Sequence, residues 1–419
     1  MGGGSAGDRR AGALLNEQEL RAHWWAAVAS VTRMVGDLAT AEDAVQEACV
    51  SALVQWPADG RPANPRAWLI GVARNKAVDR IRRDARRREK EAAATLLEPG
   101  QRDIAQATDP VPDDELNLIF MCCHPALDPA ARIALTLRSV CGLSTAEVAA
   151  VFVVPEPTMA KRLGRTRRKI REAGIPFRAP GPEAFADRLD AVLRVVYLVF
   201  TEGHKASTGA DLVRGEFCDT AVRLARTLVA LLPGEPEVAG LLSLLLLIDA
   251  RRAARIDAAG ELVLLDDQDR HLWDQAMINE GEGLLEQALR TRRPGPYQLH
   301  AAIAACHSTA RHAADTDWRQ IALLYGELVR HEPNPVIEAN RAIAVAMADG
   351  PAAGLAILDG LSHHHQLSRW PQLHIARADL LRRLGRNADA RDAYRTALQL
   401  NPSLPERAFI VRRIDQLGS

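Results

Sequence analysis

Residues 141–172 read CGLSTAEVAAVFVVPEPTMAKRLGRTRRKIRE, and this stretch decides the fold of the surrounding chain. Ser144 and Glu147 have the spacing of a capping box, so a helix is predicted to begin directly after the serine. The chain breaks around residues 153–155, and Pro157 suits the first turn of a second helix. Two short helices joined by a tight break predict a helix-turn-helix motif.

The second of these helices has an apolar face and a basic face. Its apolar residues recur at helical spacing and predict the buried side: Met159, Leu163 and Ile170. Its basic face carries Lys161, Arg165 and Arg168, with Arg162 and Lys169 beside them. In a helix-turn-helix the second helix enters the major groove of DNA, where the planar arginine fork can donate two hydrogen bonds to guanine. The alternative is a solvated basic helix within a bundle.

The segment TAEDAVQEACVSALVQW, residues 40–56, predicts an amphipathic helix on the N-terminal side of this motif. Thr40 and Asp43 resemble a second capping box. Glu42, Asp43 and Glu47 predict an acidic surface. Taken alone, the pattern equally fits an ordinary surface helix.

A third segment, PRAWLIGVARNKAVDRIRRDARRR at residues 65–88, predicts a long basic helix. Its predicted buried stripe is Trp68, Leu69, Val72 and Ile81. Its predicted exposed face is Arg74, Asn75, Asp79, Arg82 and Arg83. Aromatic and amide side chains beside basic residues can stack on unpaired bases and hydrogen-bond to them. The segment therefore fits single-strand nucleic-acid binding or a solvated helix.

Composition places these helices in a large helical protein. The chain has 419 residues, 47% of them hydrophobic and only 4% aromatic, which favours two to four globular domains of mainly α structure. The formal net charge is zero, but residues 74–90 carry nine basic and three acidic side chains, and residues 161–178 carry eight and one. Because electrostatic potentials decay over about 8–10 Å, these local surpluses keep DNA binding possible.

Targeting signals and disulfides are not expected. No apolar run reaches the ~20 residues that a membrane span needs, and the longest, residues 238–248, predicts a buried helix. The N-terminus lacks the apolar core of a signal peptide. The six cysteines show no CxxC spacing. These features predict a reduced cytoplasmic protein without membrane contact.

Composition and proline placement predict the domain boundaries. Residues 1–13 are a predicted flexible tail, and residues 91–112 and 176–182 are predicted linkers. The predicted folded parts are 14–90, 113–175 and 183–419.

The C-terminal part has the character of tetratricopeptide repeats. Residues 374–402 place small, aromatic and terminal proline residues at the positions of such a repeat: Ala378, Ala390, Tyr394, Ala397 and Pro402. Tyr325 and Pro333 repeat its ending 69 residues earlier, about two 34-residue periods. An irregular helical array is the alternative. Either arrangement offers a concave face that could hold a protein or ligand partner.

Taken in order, these segments resemble bacterial extracytoplasmic-function sigma factors. That family has an AEDxVQExxxxAxxxW helix, a PRAWLxxxARNxAxDxxRR helix and a helix-turn-helix, which match residues 41–56, 65–83 and 141–172. Further strings resemble a subgroup with a fused tetratricopeptide-like extension: FMCCHPALDPAARIALTLR (120–138), IPFRAP (175–180), VVYLVFTEGH (195–204), ARRAARIDAAGELVLLDDQDR (250–270) and GPYQLHAAIAAC (295–306). The fold implied is all-α, with two small helical sigma domains, a linker and a helical-repeat domain.

The resemblance implies a dissociable subunit that directs core RNA polymerase to particular promoters. The residues that would dock on the polymerase are Glu42, Asp43, Gln46 and Glu47. The residues that would bind the −10 element are Arg74, Asn75, Asp79, Arg82 and Arg83, with Asn75 and Asp79 on bases. The residues that would bind the −35 element are Thr158, Lys161, Arg162, Arg165, Arg167 and Arg168, with Arg162 and Arg165 on bases. Residues 91–112 would be threaded near the active channel of the polymerase.

Other classes of function have weaker support. Cys122, Cys123 and His124 are adjacent, but neighbouring residues rarely share one metal site, and no HExxH motif is present. The resemblance to the family implies no known reaction for Glu202 and His204. Neither a metal, a cofactor nor an enzymatic activity is therefore expected. A free-standing helix-turn-helix regulator with a tetratricopeptide sensor is the main alternative, and a pure scaffold is a third.

The extension makes up more than half of the chain and invites a regulatory interpretation. We expect residues 183–419 to act in cis, by packing on the sigma core or by binding a signal, and to be required for activity.

Overall fold

The computed structural model describes residues 6–92, 112–152, 154–205, 215–257, 263–365, 367–402 and 404–417. Across those ranges the chain is helical, as the composition predicts, and forms no strand. The helices are α1 (Ala6–Val35), α2 (Leu38–Asp59), α3 (Pro65–Ala92), α4 (Pro112–Cys122), α5 (Pro129–Leu135), α6 (Thr145–Val151), α7 (Glu156–Glu172), α8 (Pro182–Lys205), α9 (Gly215–Leu231), α10 (Pro236–Asp249), α11 (Gln275–Leu289), α12 (Pro296–Ser308), α13 (Trp318–His331), α14 (Pro335–Asp349), α15 (Pro351–Leu361), α16 (Pro371–Arg383), α17 (Asn387–Gln399) and α18 (Leu404–Gln416). The chain divides into two compact units, Met1–Val199 and Phe200–Ser419.

Helices α1, α2 and α3 pack against one another at the start of the first unit. The buried side of α3 consists of Leu69, Ala73 and Ala77, each fully buried. Small residues let the helix axes approach closely, and the loop between α2 and α3 is closed by the Trp56 and Trp68 rings, whose centroids lie 5.5 Å apart. The predicted stripe was therefore correct for Leu69 and wrong for Ile81, which is exposed beyond the packed part of α3.

Helices α4 to α7 form a second group, in which α6 and α7 are the predicted helix-turn-helix. The capping box is confirmed, because the Glu147 backbone N–H donates to Ser144 Oγ at 3.1 Å and the Ser144 N–H donates to Glu147 Oε2 at 2.6 Å. The predicted apolar face of α7 is also confirmed: Met159, Leu163 and Ile170 are buried. A π-helical turn, Thr136–Val140, continues α5, and Gly142 follows it with a φ of +74° that suits glycine.

The α1–α3 group and the α4–α7 group pack directly on each other. Trp24 of α1 is buried, its indole N–H donates to the Ser139 carbonyl at 3.0 Å, and its ring lies against Gly142. Trp25 donates in the same way to the Glu115 carbonyl at 3.0 Å. These bonds satisfy the buried indole donors, so the two groups share a specific, hydrogen-bonded interface.

The segment after α7 is tied to α4. The Ala179 N–H donates to Asn117 Oδ1 at 2.5 Å, and the Phe120 and Phe185 rings lie 5.7 Å apart. Arg188 donates to the Phe120 carbonyl at 2.6 Å. The first half of α8 thus packs on the helix-turn-helix group, within the first unit.

The second unit is a succession of helical hairpins. Helix α10 is buried almost throughout, as residues 238–248 predicted. Glu237 at its start accepts hydrogen bonds from the backbone N–H groups of Tyr297 and Gln298, at 2.9 and 3.2 Å, and so caps α12. Helices α16 and α17 form the predicted repeat, with four of its marker residues fully buried: Ala378, Ala390, Tyr394 and Ala397.

Three local predictions need correction or stay open. Thr40 and Asp43 do not form the start of α2, because Asp37 is the N-cap and accepts from the Thr40 N–H at 2.9 Å. Helix α1 begins at Ala6, inside the predicted tail 1–13. Most of the predicted linker 91–112 lies outside the described residues. The domain boundaries remain predictions.

Candidate nucleic-acid and polymerase interface

Helix α7 presents a basic surface opposite its buried face. Thr158, Lys161, Arg165 and Arg168 are exposed, as the sequence predicts. Arg162 is half-buried, because its guanidinium lies over the Phe152 ring, with Cζ 5.2 Å from the centroid. This cation–π contact restricts the arginine fork, and a restricted fork loses less entropy when it binds a base edge.

Arg167 departs from the predicted DNA-facing surface. It forms an ion pair with Glu42 of α2, and the Glu42 carboxylate also accepts a hydrogen bond from the Ser139 hydroxyl. Glu42 is only 1% exposed. The predicted acidic surface of α2 is therefore wrong at this residue. A carboxylate that appears on a helical surface in the sequence can be covered by a second helix that the periodicity does not reveal.

Gln46 lies in the same interface between α2 and the α4–α7 group. Its Oε1 accepts a hydrogen bond from Arg138 at 3.0 Å, and Arg138 also donates to the Leu143 carbonyl at 2.9 Å. Burial lowers the pKa of the Arg138 guanidinium, while the nearby Glu42 carboxylate opposes that shift. Two of the four predicted polymerase-docking residues, Glu42 and Gln46, thus have partners in the α4–α7 group.

The exposed side of α2 carries an acidic part followed by an apolar part. Asp43 forms an ion pair with Arg80 at 2.8 Å, and Glu47 forms one with Lys76 at 3.9 Å. One turn further, three aliphatic side chains are exposed at helical spacing: Val50, Leu53 and Val54, with 57%, 42% and 69% exposure. Sequence reasoning missed these three residues. The sequence indicated their exposure. Ala48 and Ala52 lie on one face of the helix, whereas Val50 and Val54 lie on the opposite face and cannot be buried with them.

Helix α3 presents a polar cleft next to this surface. The cleft has a volume of about 550 Å³ and is lined by Glu47, Lys76, Asp79, Arg82, Arg83 and Arg86. The predicted residues Asn75, Asp79, Arg82 and Arg83 are exposed, whereas Arg74 is half-buried. Four guanidinium or ammonium groups beside two carboxylates make a site that can hold a phosphate backbone and accept hydrogen bonds from a base.

Ion pairs join the α1–α3 group to the α4–α7 group at several places. In addition to the Glu42–Arg167 pair, they include Arg21–Glu147 at 2.7 Å, Arg33–Asp114 at 2.8 Å, Arg66–Glu115 at 2.5 Å and Arg171–Asp37 at 3.3 Å. Burial raises the pKa of the Glu115 carboxyl, and Arg66 opposes that rise. The predicted promoter-facing helices α3 and α7 are thus held in one compact arrangement.

The residues considered for enzyme chemistry are dispersed or buried. Cys122 and Cys123 are fully buried, and burial raises the pKa of both thiols, that of Cys123 to about 11. Burial and the neighbouring Arg255 lower the pKa of His204 to about 3. Within the part of the chain that the structure describes, no three histidine, cysteine or acidic side chains are grouped as metal ligands would be. In the same ranges, no helix combines the length and apolarity of a membrane span.

Four segments of the chain match known protein families. Residues 22–87 match sigma-70 region 2, and residues 117–170 match sigma-70, region 4. Residues 371–404 match a tetratricopeptide repeat, and residues 188–289 match a family of unknown function, DUF6596. The two sigma matches coincide with α1–α3 and α4–α7, and the repeat coincides with α16 and α17. No solved structure matches significantly.

Relatives extend these matches. An uncharacterized protein of Rhizobium meliloti strain 1021 is 43% identical over 397 residues, which are 94% of this chain and 93% of that protein. The ECF RNA polymerase sigma factor SigJ of Mycobacterium tuberculosis is 33% identical over 218 residues, which are 47% of this chain and 68% of that protein. The probable ECF RNA polymerase sigma factor SigI of the same species is 33% identical over 159 residues, 37% of this chain and 54% of that protein. With its sigma-70 regions 2 and 4 in order, the chain belongs to the family of ECF, or extracytoplasmic-function, RNA polymerase sigma factors.

Proposed function

We propose that this sigma factor docks on core RNA polymerase through the exposed side of α2 and brings α3 and α7 to promoter DNA. The observation that carries the proposal is the composition of that side: Asp43 and Glu47 are followed by exposed Val50, Leu53 and Val54. Exposed aliphatic residues in a contiguous stripe are typical of a protein-binding surface. Gln46 is exposed beside this surface, and Glu42 would join it after its contact with Arg167 has separated.

The two basic helices would contact different promoter elements. The cleft beside α3 would hold the −10 element, with Asn75 and Asp79 on bases and the arginines on phosphates. Helix α7 would read the −35 element, with Arg162 and Arg165 on base edges and Thr158, Lys161 and Arg168 on the backbone. Arg167 would contact phosphate only when it no longer pairs with Glu42.

The packed arrangement implies an opening step before promoter binding. In this arrangement Arg167 of the helix-turn-helix pairs with Glu42 of the docking helix, so neither group can bind its outside partner at the same time. A protein that binds a partner only in a minor conformation has an apparent affinity reduced in proportion to the population of that conformation. Core polymerase would therefore stabilise the separated form, and promoter contacts would follow.

The extension is proposed to regulate this sigma core in cis. Its supports are its size and its helical hairpins, an arrangement that in repeat proteins suits a protein or ligand partner. A stop codon after residue 205 is the appropriate truncation, because it keeps Phe185 and Arg188 on α4. We expect this truncation to lower promoter output, and unchanged output with unchanged polymerase affinity would contradict a regulatory role.

In vitro transcription tests the central proposal. Core polymerase supplemented with the full chain should initiate at promoters recovered from a genome-wide pull-down with the reconstituted holoenzyme, and reversal of Arg162 and Arg165 to Glu should abolish that initiation. Arg395→Glu is a matched control, since Arg395 is exposed on α17 and pairs with Asp392 at 3.2 Å. Tight, specific promoter binding by the chain alone, without initiation, would instead identify a free-standing regulator.

A further inference from the structure

A cluster of arginines lies in the second unit, where three of the strings that resemble the family's extension meet. Helix α10 ends at Asp249. The chain comes back to this end of the helix just after Trp273, where the Asp274 N–H donates to the Ala250 carbonyl at 2.8 Å. The enclosed segment carries Arg251, Arg255 and Arg270. None of these groups has a part in the sigma function proposed above.

Two of these arginines, and their neighbour Arg252, are accounted for by internal partners. Arg252 forms ion pairs with Asp249 at 2.6 Å and Asp219 at 2.7 Å. Arg255 donates to the His204 carbonyl at 2.9 Å. Arg270 donates to the carbonyls of residues 307 and 310, at 2.7 and 2.6 Å, and so caps the end of α12.

Arg251 differs from these neighbours. In the described ranges its guanidinium forms no hydrogen bond and no ion pair, and its Nε is shielded from solvent without an acceptor. Its charged neighbours are Arg255 and Arg270, and burial together with their charges lowers the pKa of Arg251 to about 10. A half-buried guanidinium beside two further cations is unfavourable unless an anion accompanies it.

Trp273 supplies a second donor without an acceptor at the same place. The side chain is 4% exposed, and its indole Nε1 has no hydrogen-bond partner among the described residues. The Cζ atoms of Arg251 and Arg270 lie 5.9 and 4.4 Å from its ring centroid, so both guanidinium groups lie against the same indole ring. Guanidinium and indole N–H groups only donate, and a ligand that satisfies both must therefore accept.

We propose that Arg251 and Trp273, with the charges of Arg255 and Arg270, bind a small oxyanion in the extension. A phosphate or a carboxylate has the acceptor oxygens and the charge that this set of donors lacks, and the arginine fork can bind either in a bidentate manner. The enclosure of Trp273 limits the ligand to a small ion or to the anionic end of a small molecule. Such an ion would link α10 to the segment before α11, and its binding does not depend on promoter recognition.

Thermal unfolding of the full chain tests this site at constant ionic strength, with sodium phosphate and sodium acetate as separate probes. We expect at least one of them to raise the unfolding midpoint in a saturable manner, and calorimetric titration to give a single site. The probe that binds more tightly distinguishes phosphate from carboxylate recognition.

Arg251→Met should weaken the binding of that anion at least tenfold. Because Arg251 has no hydrogen-bond or ion-pair partner among the described residues, this variant should unfold without anion at the same midpoint as the natural chain or above it. Trp273→Phe keeps the ring and removes one donor, and should weaken binding several-fold. Arg290→Met, which removes an exposed arginine paired with Glu286 on α11, should bind as the natural chain does.

Three results would overturn the proposal. They are the absence of a saturable response to both anions, unchanged binding in Arg251→Met, and a lowered anion-free midpoint in that variant, which would indicate a structural cation. None of these measurements involves polymerase or DNA, so their outcome is separate from that of the transcription assay.

Discussion

Replacement of Arg167 by Met is expected to raise the population of a form in which the α1–α3 group is separated from the α4–α7 group. The substitution leaves the Glu42 carboxylate, 1% exposed, with the Ser139 hydroxyl and without its ion-pair partner. Removal of one partner from a buried ion pair costs about 3–5 kcal/mol. The Arg167 side chain is 23% exposed, which reduces the expected cost to about 2–3 kcal/mol.

This cost falls on the packed form alone, because both groups are hydrated in the separated form. At 1.4 kcal/mol for each factor of ten, the population of the separated form should rise about 30- to 150-fold. If polymerase binds only the separated form, the apparent affinity of the chain for core polymerase should rise by up to the same factor. The gain would occur although the variant has lost a positive charge.

Energy transfer between dyes at Val54 on α2 and Lys169 on α7 measures the separation, and titration with core polymerase measures the affinity. Arg168→Met is the matched control, since Arg168 lies on the same helix, is exposed, and does not contact Glu42. Equal energy transfer and equal polymerase affinity in the two variants would refute the idea that the Arg167–Glu42 pair holds the packed form together.

Three further predictions concern stability. Gly142→Ala should cost about 1–3 kcal/mol more in denaturant unfolding than Gly174→Ala; both have positive φ, but only at Gly142 does an added Cβ approach a side chain, at 2.9 Å. Burial lowers the pKa of His300 to about 4, so the native state does not take up the proton that the unfolded state binds below about pH 6.5. Stability should fall from pH 6.5 to 4, and His300→Gln should flatten that slope by about 1.4 kcal/mol per pH unit, whereas an unchanged slope contradicts the assignment. Glu237→Ala should destabilise the second unit by about 1–3 kcal/mol because the N–H groups at the start of α12 lose their acceptor; calorimetry showing no loss would exclude this cap.

Local patterns predicted the helix-turn-helix almost completely. The capping box at Ser144 and the apolar spacing of Met159 and Leu163 depend on residues within one or two turns, which the sequence displays directly. The N-cap of α2 was misplaced by three residues because Asp37 and Thr40 are both good caps, and only the backbone geometry selects Asp37.

Contacts between distant segments could not be predicted from periodicity. Glu42 and Arg167 are 125 positions apart, and each occupies a position that is polar on its own helix. That Arg251 has no ion pair among the described residues was also hidden, because RRAAR shows three arginines and does not show which of them obtains a carboxylate. The exposed stripe of Val50 and Val54 was the one functional candidate that closer use of the helical period would have found.

The Glu42–Arg167 pair also constrains how this sequence can change over time. A change at either position alone leaves an uncompensated charge between the two helical groups, and a change at Glu42 also alters the proposed polymerase-docking side of α2. Substitutions at these two positions should therefore be tolerated mainly in pairs that keep one carboxylate and one guanidinium in contact. Among related sequences, positions 42 and 167 should covary, and a lineage that has lost both charges should have another way of keeping its promoter-binding helices together.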